Sequence, residues 1–171
     1  MLELRLPRVS DEAELRAARG ELDAEGHDGF LLDGFSENPD DFGGWLNRVL
    51  DHAEGLNLEP GHVPATFLIA QVGDQIVGRI SIRHELNDFL LNFGGHIGYM
   101  VRPEFRRKGH ASQMLSQALS LTKDWGLNRV LLTCYDDNVG SIKVIESHGG
   151  ILENRVDYEG KVLRRYWIEI S

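Results

Sequence analysis

The chain has 171 residues, enough for one domain with its own core, and its 42% hydrophobic and 26% charged residues are ordinary for a globular protein. Its formal charge of −9 argues against general affinity for nucleic acid or an anionic membrane surface, partners that a basic face would serve. One cysteine, Cys134, leaves no pair for an internal disulfide. With no signal-like start and no apolar run near the ~20 residues that span a bilayer, the expectation is a cytoplasmic protein.

No repeat, low-complexity tract or linker divides the chain, so a single domain over 1–171 is expected. Leu2, Leu4 and Leu6 alternate as in a strand, 2–7. Ser10 reads as the N-cap of a helix reaching about residue 22, followed by loops at 26–29 and 34–39. A second helix, 40–54, gathers Phe42, Trp45, Leu46, Val49 and Leu50 on one face. After a loop at 57–64, strands at 66–71 and 76–84 flank a turn at 72–75. The stretch 85–94 reads as a connection with a turn of helix, and 95–102 as a central strand. Alternation puts His96, Gly98 and Met100 on one of its faces and Ile97 and Tyr99 on the other. Helix 109–125 carries Ala111, Met114, Leu115, Ala118, Leu121, Thr122 and Trp125 at helical spacing; strand 128–135 is apolar through Val130, Leu131 and Leu132, as a buried parallel strand should be. A short helix, 138–147, and a closing hairpin, 151–158 with 161–170, complete the pattern.

The segment from Val101 to Ala111 is the most informative. It joins the central strand to the following helix and sets Arg106, Arg107 and Lys108 against Gly109. A helix N-terminus carries unpaired N–H groups and partial positive charge, so it attracts phosphate. Gly109 can take backbone angles closed to other residues and lets a ligand approach. The cations Arg102, Arg106, Arg107 and Lys108 run against the acidic average of the chain. As a solvated turn they would do nothing; at a helix entry they outline a diphosphate cradle.

The spacing Arg106-x-x-Gly109-x-Ala111 resembles the acyl-CoA signature of the GNAT superfamily of N-acetyltransferases. One strand further on, Asn138-x-x-Ser141 and a helix ending at Gly149-Gly150 resemble the superfamily's second motif. The resemblance runs from about residue 66 to 170. It implies an α+β (mixed α/β) fold, a central twisted mixed sheet of about seven strands with four or so flanking helices in the order βααβββαβαββ. It also implies acetyl-CoA as acyl donor. By position, Met100 and Val101 would contact the pantetheine arm through their backbone. Arg106, Arg107, Lys108, Gly109, His110, Ala111 and Ser112 would face the diphosphate, and Asn138 and Ser141 would reach the cofactor from the facing helix. Read from the residues alone, Asn138 and Ser141 serve equally well as helix caps.

Acetyl transfer to an amine needs a neutral amine, a stabilised thioester oxygen and a proton for the leaving thiolate. Many relatives use a tyrosine seven residues after the motif asparagine as that acid; here the position is Ile145, leaving Tyr135, water or no dedicated acid. His96 is a candidate base, since its ordinary pKa near 6.5 suits proton removal at neutral pH, although a strand histidine serves structure as readily. His84, Glu85 and Asn87 are candidates to line the acceptor mouth. His148 ends a helix and complements its dipole, and Cys134 has no histidine beside it in sequence to make it a nucleophile. No histidine, cysteine or carboxylate spacing suggests zinc. The resulting expectation is an acetyl-CoA-dependent acetyltransferase acting on a primary amine of a small molecule by direct transfer in a ternary complex. Two readings stay open beside it: a non-catalytic acyl-CoA-binding module, kept alive by Ile145, and a protein acetyltransferase acting on lysine or an N-terminus. A homodimer is compatible with the resemblance.

Overall fold

The computed structural model describes residues 1–32 and 35–171; Gly34, expected in a loop, lies outside the described residues. The leucines at the start form β1, Leu2–Arg5, ending before Pro7, which has no N–H to give a ladder. Ser10 is not the helix cap. Val9–Asp11 make a 3-10 turn, and α1, Glu12–Ala24, starts behind Asp11. The physical reason is the Asp11 carboxylate, which accepts from the Arg8 N–H at 2.7 Å and pairs with Arg5 at 2.8 Å. A longer-range ion pair thus displaces the local capping preference of serine. Helix α2, Phe42–Ala53, is capped by Asp41, whose side chain accepts from the Gly44 N–H at 2.8 Å.

The remaining elements are β2 (Ala65–Val72), β3 (Gln75–Arg83), β4 (Ile97–Val101), α3 (His110–Asp124), β5 (Arg129–Tyr135), α4 (Val139–Ser147), β6 (Ile151–Tyr158) and β7 (Lys161–Glu169). This is the order βααβββαβαββ. The helical turn expected between β3 and β4 is a π-helical segment, Leu90–Gly94. The strands form one mixed sheet in the order β1-β2-β3-β4-β5-β7-β6, antiparallel except between β4 and β5.

Two apolar layers hold the helices to the sheet. On one face Met114, Leu115 and Ala118 of α3 and Ile145 of α4 pack with Ile97, Val130, Leu132 and Tyr166. On the other, Leu15, Ala18 and Leu22 of α1 and Phe42, Trp45 and Val49 of α2 pack with Phe67, Ile69 and Ile76. Each large side chain buried in this way contributes about 1.5–3 kcal/mol, so both helix layers are firmly seated. Trp45 is wholly buried and its indole N–H donates to the Leu32 carbonyl at 2.6 Å, which satisfies its one polar atom. No helix is long and apolar enough to cross a membrane among the described residues.

Candidate active site

β4 stays in register with β3 from Ile97 to Val101, but it pairs with β5 only at Ile97↔Leu132. The contact is made close by Gly95, whose φ is +69°; a Cβ there would lie 2.6 Å from the Leu131 carbonyl oxygen. Beyond Ile97 the two parallel strands have no ladder between them, while β5 remains on β7 as far as Tyr135↔Leu163. A cleft therefore opens between 98–101 and 133–135, and β4 presents a strand edge to it. The carbonyl of Met100 points at β3, where it would touch a Cβ on Gly78 at 2.4 Å. Alternation then turns the main-chain groups of Tyr99 and Val101 into the cleft. The main chain of Val101 thus faces the cleft, whereas the backbone of Met100 belongs to the β3 ladder.

Past β4 the chain makes a 3-10 turn, Pro103–Phe105, and enters α3 through Gly109. Gly109 has φ +81° and no side chain caps the helix, so the N–H groups of His110, Ala111 and Ser112 have no intrahelical acceptor. Arg107 also has a positive φ, 60°. The cations divide. Arg102 is buried and bound to Glu14 and Glu21 of α1, at 3.0 and 2.5 Å. Arg106 turns back to Glu25 at 2.8 Å and to the Val101 carbonyl at 3.2 Å. These two brace the loop, and the exposed Arg107 and Lys108 remain at the rim, Lys108 lying over the Phe105 ring at 5.4 Å. His110 has a buried Nδ1 with no hydrogen-bond partner among the described residues, and burial and Lys108 hold its imidazole below the ordinary histidine value.

Across the cleft, Asn138 caps α4 by accepting from the Ser141 N–H at 3.1 Å. The capping alternative therefore holds for its oxygen, while its amide N–H groups have no acceptor among the described residues and the residue is exposed. Ile145 is fully buried in the core and has no access to the cleft chemistry. Tyr135 faces away from α4 by strand alternation, with the Lys161 ammonium 5.1 Å from its ring centre.

His96 sits at the closed end of the cleft. Its main-chain N–H donates to the Leu131 carbonyl at 2.7 Å, and its Nδ1 accepts the Leu131 N–H at 2.9 Å. The imidazole thus substitutes for a missing strand partner, and the lone pair a base would use is already occupied. Burial, reinforced by Arg83, pulls its pKa down to about 4. Geometry and charge both assign His96 to closing the β4–β5 junction. Because its folded pKa is depressed, its contribution to stability is present above its ordinary value of 6.5 and is lost as pH falls toward about 4. Urea unfolding at pH 7.5 and 5 should show the wild type losing about 2 kcal/mol more than His96→Gln. Equal losses would remove His96 from this role.

The three residues expected at the acceptor mouth have separate surroundings. His84 Nε2 lies 2.7 Å from Thr66 Oγ1, and its ring is 4.8 Å from that of Trp125 at the far end of α3. Burial holds its imidazole below the ordinary value. It lines a concavity of about 330 Å³ with Leu68, Leu121 and Trp125, a helix length from the cradle. Asn87 caps the helical connection, accepting from the Leu90 N–H and donating to the Gly61 carbonyl, both at 2.9 Å. Glu85 is exposed between them. The α1- and α2-facing side of β3 and β4 carries Arg79 of β3, buried, donating to the carbonyls of Gly29, Phe30 and Gly98 at 2.6, 3.0 and 3.1 Å. That residue ties the segment before α2 down over β3 and β4, and no local pattern in the sequence marks it.

A sheet split beside one parallel strand pair, with an uncapped helix N-terminus at its mouth, defines a cleft for a ligand with an extended amide-bearing arm and an anionic end. The comparisons agree with that class. The Acetyltransferase (GNAT) family matches residues 35–149, and the chain belongs to this family. The chain is 28% identical to the chloroplastic GCN5-related N-acetyltransferase 4 of Arabidopsis thaliana over 182 residues, covering 84% of this chain. It spans 62% of the length of that relative. Among solved structures it resembles the microcin self-immunity acetyltransferase MccE, crystallised with acetyl-CoA and AMP, at TM-score 0.72 and 18% identity, covering 99% of this chain and 92% of that one. It also resembles a Salmonella typhimurium acetyltransferase that modifies the N-terminal serine of a 50S ribosomal subunit protein, at TM-score 0.70 and 19% identity, over 99% and 95% of the two chains.

Proposed function

We propose that this protein transfers the acetyl group of acetyl-CoA to a primary amine of a small molecule, directly, with both substrates bound together. The observation that carries the reading is the unpaired β4 edge beyond Ile97↔Leu132 leading straight into the uncapped N-terminus of α3. Tyr99 and Val101 offer main-chain donors and acceptors to the amides of a pantetheine arm. The N–H groups of His110, Ala111 and Ser112, with Arg107 and Lys108 at the rim, suit a diphosphate. The Asn138 amide supplies a further donor to the arm.

Direct transfer is favoured over a covalent acyl-enzyme by Cys134. Burial pushes its thiol up to about 11, so it is neutral at working pH, and its side chain packs in the core with Ile145. A small acceptor is favoured by Arg79, which draws Gly29 and Phe30 over the acceptor face of β4 and narrows the approach. With His96 committed to Leu131, the amine gives up its proton to water in this scheme.

The test is isothermal titration with acetyl-CoA, with desulfo-CoA as control, followed by thiol release across a panel of small amines and of peptides with free N-termini. Saturable binding and turnover with small amines support the proposal, and intersecting initial-rate lines support the ternary complex. Turnover with peptides alone would transfer the reading to protein N-termini, the acceptor class of the Salmonella typhimurium enzyme. Binding without turnover across the panel would leave a cofactor-binding module.

A further inference from the structure

The site as built has no acid for the departing thiolate at the position where many relatives keep a tyrosine, because Ile145 is aliphatic and buried. The structure brings another hydroxyl to the same side of the cleft. Tyr99 lies two residues beyond the last β4–β5 pair and shares the α4-facing side of β4 with Ile97 and Val101. Its Oη is buried and makes no hydrogen bond of ordinary geometry among the described residues; the Ser141 hydroxyl of α4 is its polar neighbour, near enough to act on its titration, and Cys134 of β5 is close by. An unpaired buried hydroxyl is costly, and groups of this kind call for an explanation in function. The other proton carriers nearby are committed elsewhere. The Tyr166 hydroxyl donates to Glu146 at 2.9 Å and accepts from Arg164 at 3.1 Å. Tyr135 occupies the opposite face, and the Cys134 side chain packs into the core with Ile145.

We propose that Tyr99 is the proton donor to the coenzyme A sulfur, a reading that rests on the acetyl-transfer function proposed above. When the amine nitrogen has bonded to the acetyl carbon, the C–S bond breaks and its electron pair goes to sulfur. The Tyr99 O–H proton moves to that sulfur and yields the free thiol. The phenolate left behind recovers a proton, through water, from the nitrogen that has become an amide. The sum is amine plus thioester giving amide plus thiol, with nothing else consumed. Ser141 has a positioning role, since a hydroxyl beside the phenolate favours its formation. Burial keeps the Tyr99 phenol protonated above its ordinary range, so the donor is charged with its proton throughout the working pH.

The test compares coenzyme A with desulfo-CoA by isothermal titration at pH 9.5, where a free thiol of pKa near 8.5 is mostly thiolate. A Tyr99 O–H···S⁻ bond should favour coenzyme A in the wild type, and Tyr99→Phe should cut that preference about tenfold while desulfo-CoA binds as before. With hydroxylamine as acceptor, thiol release from acetyl-CoA should fall about a hundredfold in Tyr99→Phe at an unchanged KM for acetyl-CoA, and less in Ser141→Ala. Thermal unfolding of both variants checks that the core is intact. An unchanged preference for coenzyme A in a folded Tyr99→Phe protein overturns the proposal while leaving acetyl-CoA binding standing. A wild type that binds neither nucleotide overturns the function above and this inference with it.

Discussion

Gly109→Glu should weaken acetyl-CoA binding by at least about a hundredfold, some 2.7 kcal/mol, in a protein that still folds. Two separate effects act at this residue. The first is conformational: Gly109 has φ +81°, and an L side chain there costs about 1–2 kcal/mol. The nearest atom to a built Cβ is Gln113 Nε2 at 4.0 Å, so no clash adds to that strain and the fold can bear it. The second is electrostatic. The carboxylate enters the ring of N–H groups at the start of α3 and both occupies and neutralises the field that would hold a diphosphate. Like charges brought together in a binding site cost several kcal/mol, so this effect outweighs the strain. Gly109→Ala separates them, because it keeps the strain and omits the charge. Titration calorimetry with acetyl-CoA should show alanine weakening binding modestly and glutamate abolishing it, with thermal unfolding temperatures close together. Glutamate binding as well as glycine would place the diphosphate elsewhere.

The elements and the entry of α3 at Gly109 were legible because both rest on local signals. Apolar periodicity placed α2, α3 and all seven strands to within a few residues, and Gly109 behind three cations marked the entry of α3. The faces of β4 followed from simple alternation: Ile97 and Tyr99 lie toward α3 and α4, Met100 toward α1 and α2. What sequence could not supply were partners distant along the chain. Arg102 and Arg106 read as free cations beside an anion site, but Glu14 and Glu21 of α1 and Glu25 at its C-terminal cap take them. Ser10 lost its cap to a carboxylate one residue later because Arg5 anchors that carboxylate. His96 was expected within the central strand, but β4 starts one residue after it, and its work depends on Leu131, thirty-five residues away in sequence, whose N–H it accepts. Tyr99 looked like an ordinary core residue until the strand beside it was seen to part from its neighbour.

Arg102→Ala should lower the unfolding free energy by about 3 kcal/mol and weaken acetyl-CoA binding as a consequence. Arg102 is 7% exposed, and its guanidinium makes two contacts to Glu21, at 2.5 and 2.9 Å, one to Glu14 at 3.0 Å and one to the Ile76 carbonyl at 2.8 Å. It also covers the Phe105 ring at 5.4 Å. Truncation leaves a cavity, an unpaired carbonyl and two carboxylates facing each other without their cation. Because those carboxylates retain some access to water, the loss belongs at the lower end of what a broken buried ion pair costs. The pH dependence gives an independent check. The Arg102 hydrogen bond holds Glu21 below its ordinary carboxyl range, so the pair stabilises the fold above that range and loses its effect as pH falls through the lowered value. The gap between wild type and Arg102→Ala should therefore narrow in acid. Arg102→Lys should recover part of the stability, since one ammonium cannot span both glutamates and the carbonyl as the planar fork does. The link to binding is positional: Arg102 is the residue between the β4 edge and the Pro103–Phe105 turn that aims α3, so freeing it lets the cradle drift from the strand edge that shares its ligand. Urea titration and calorimetry on the same three proteins measure both effects. Stability lost with binding intact would show that α3 alone sets the cradle, independently of α1.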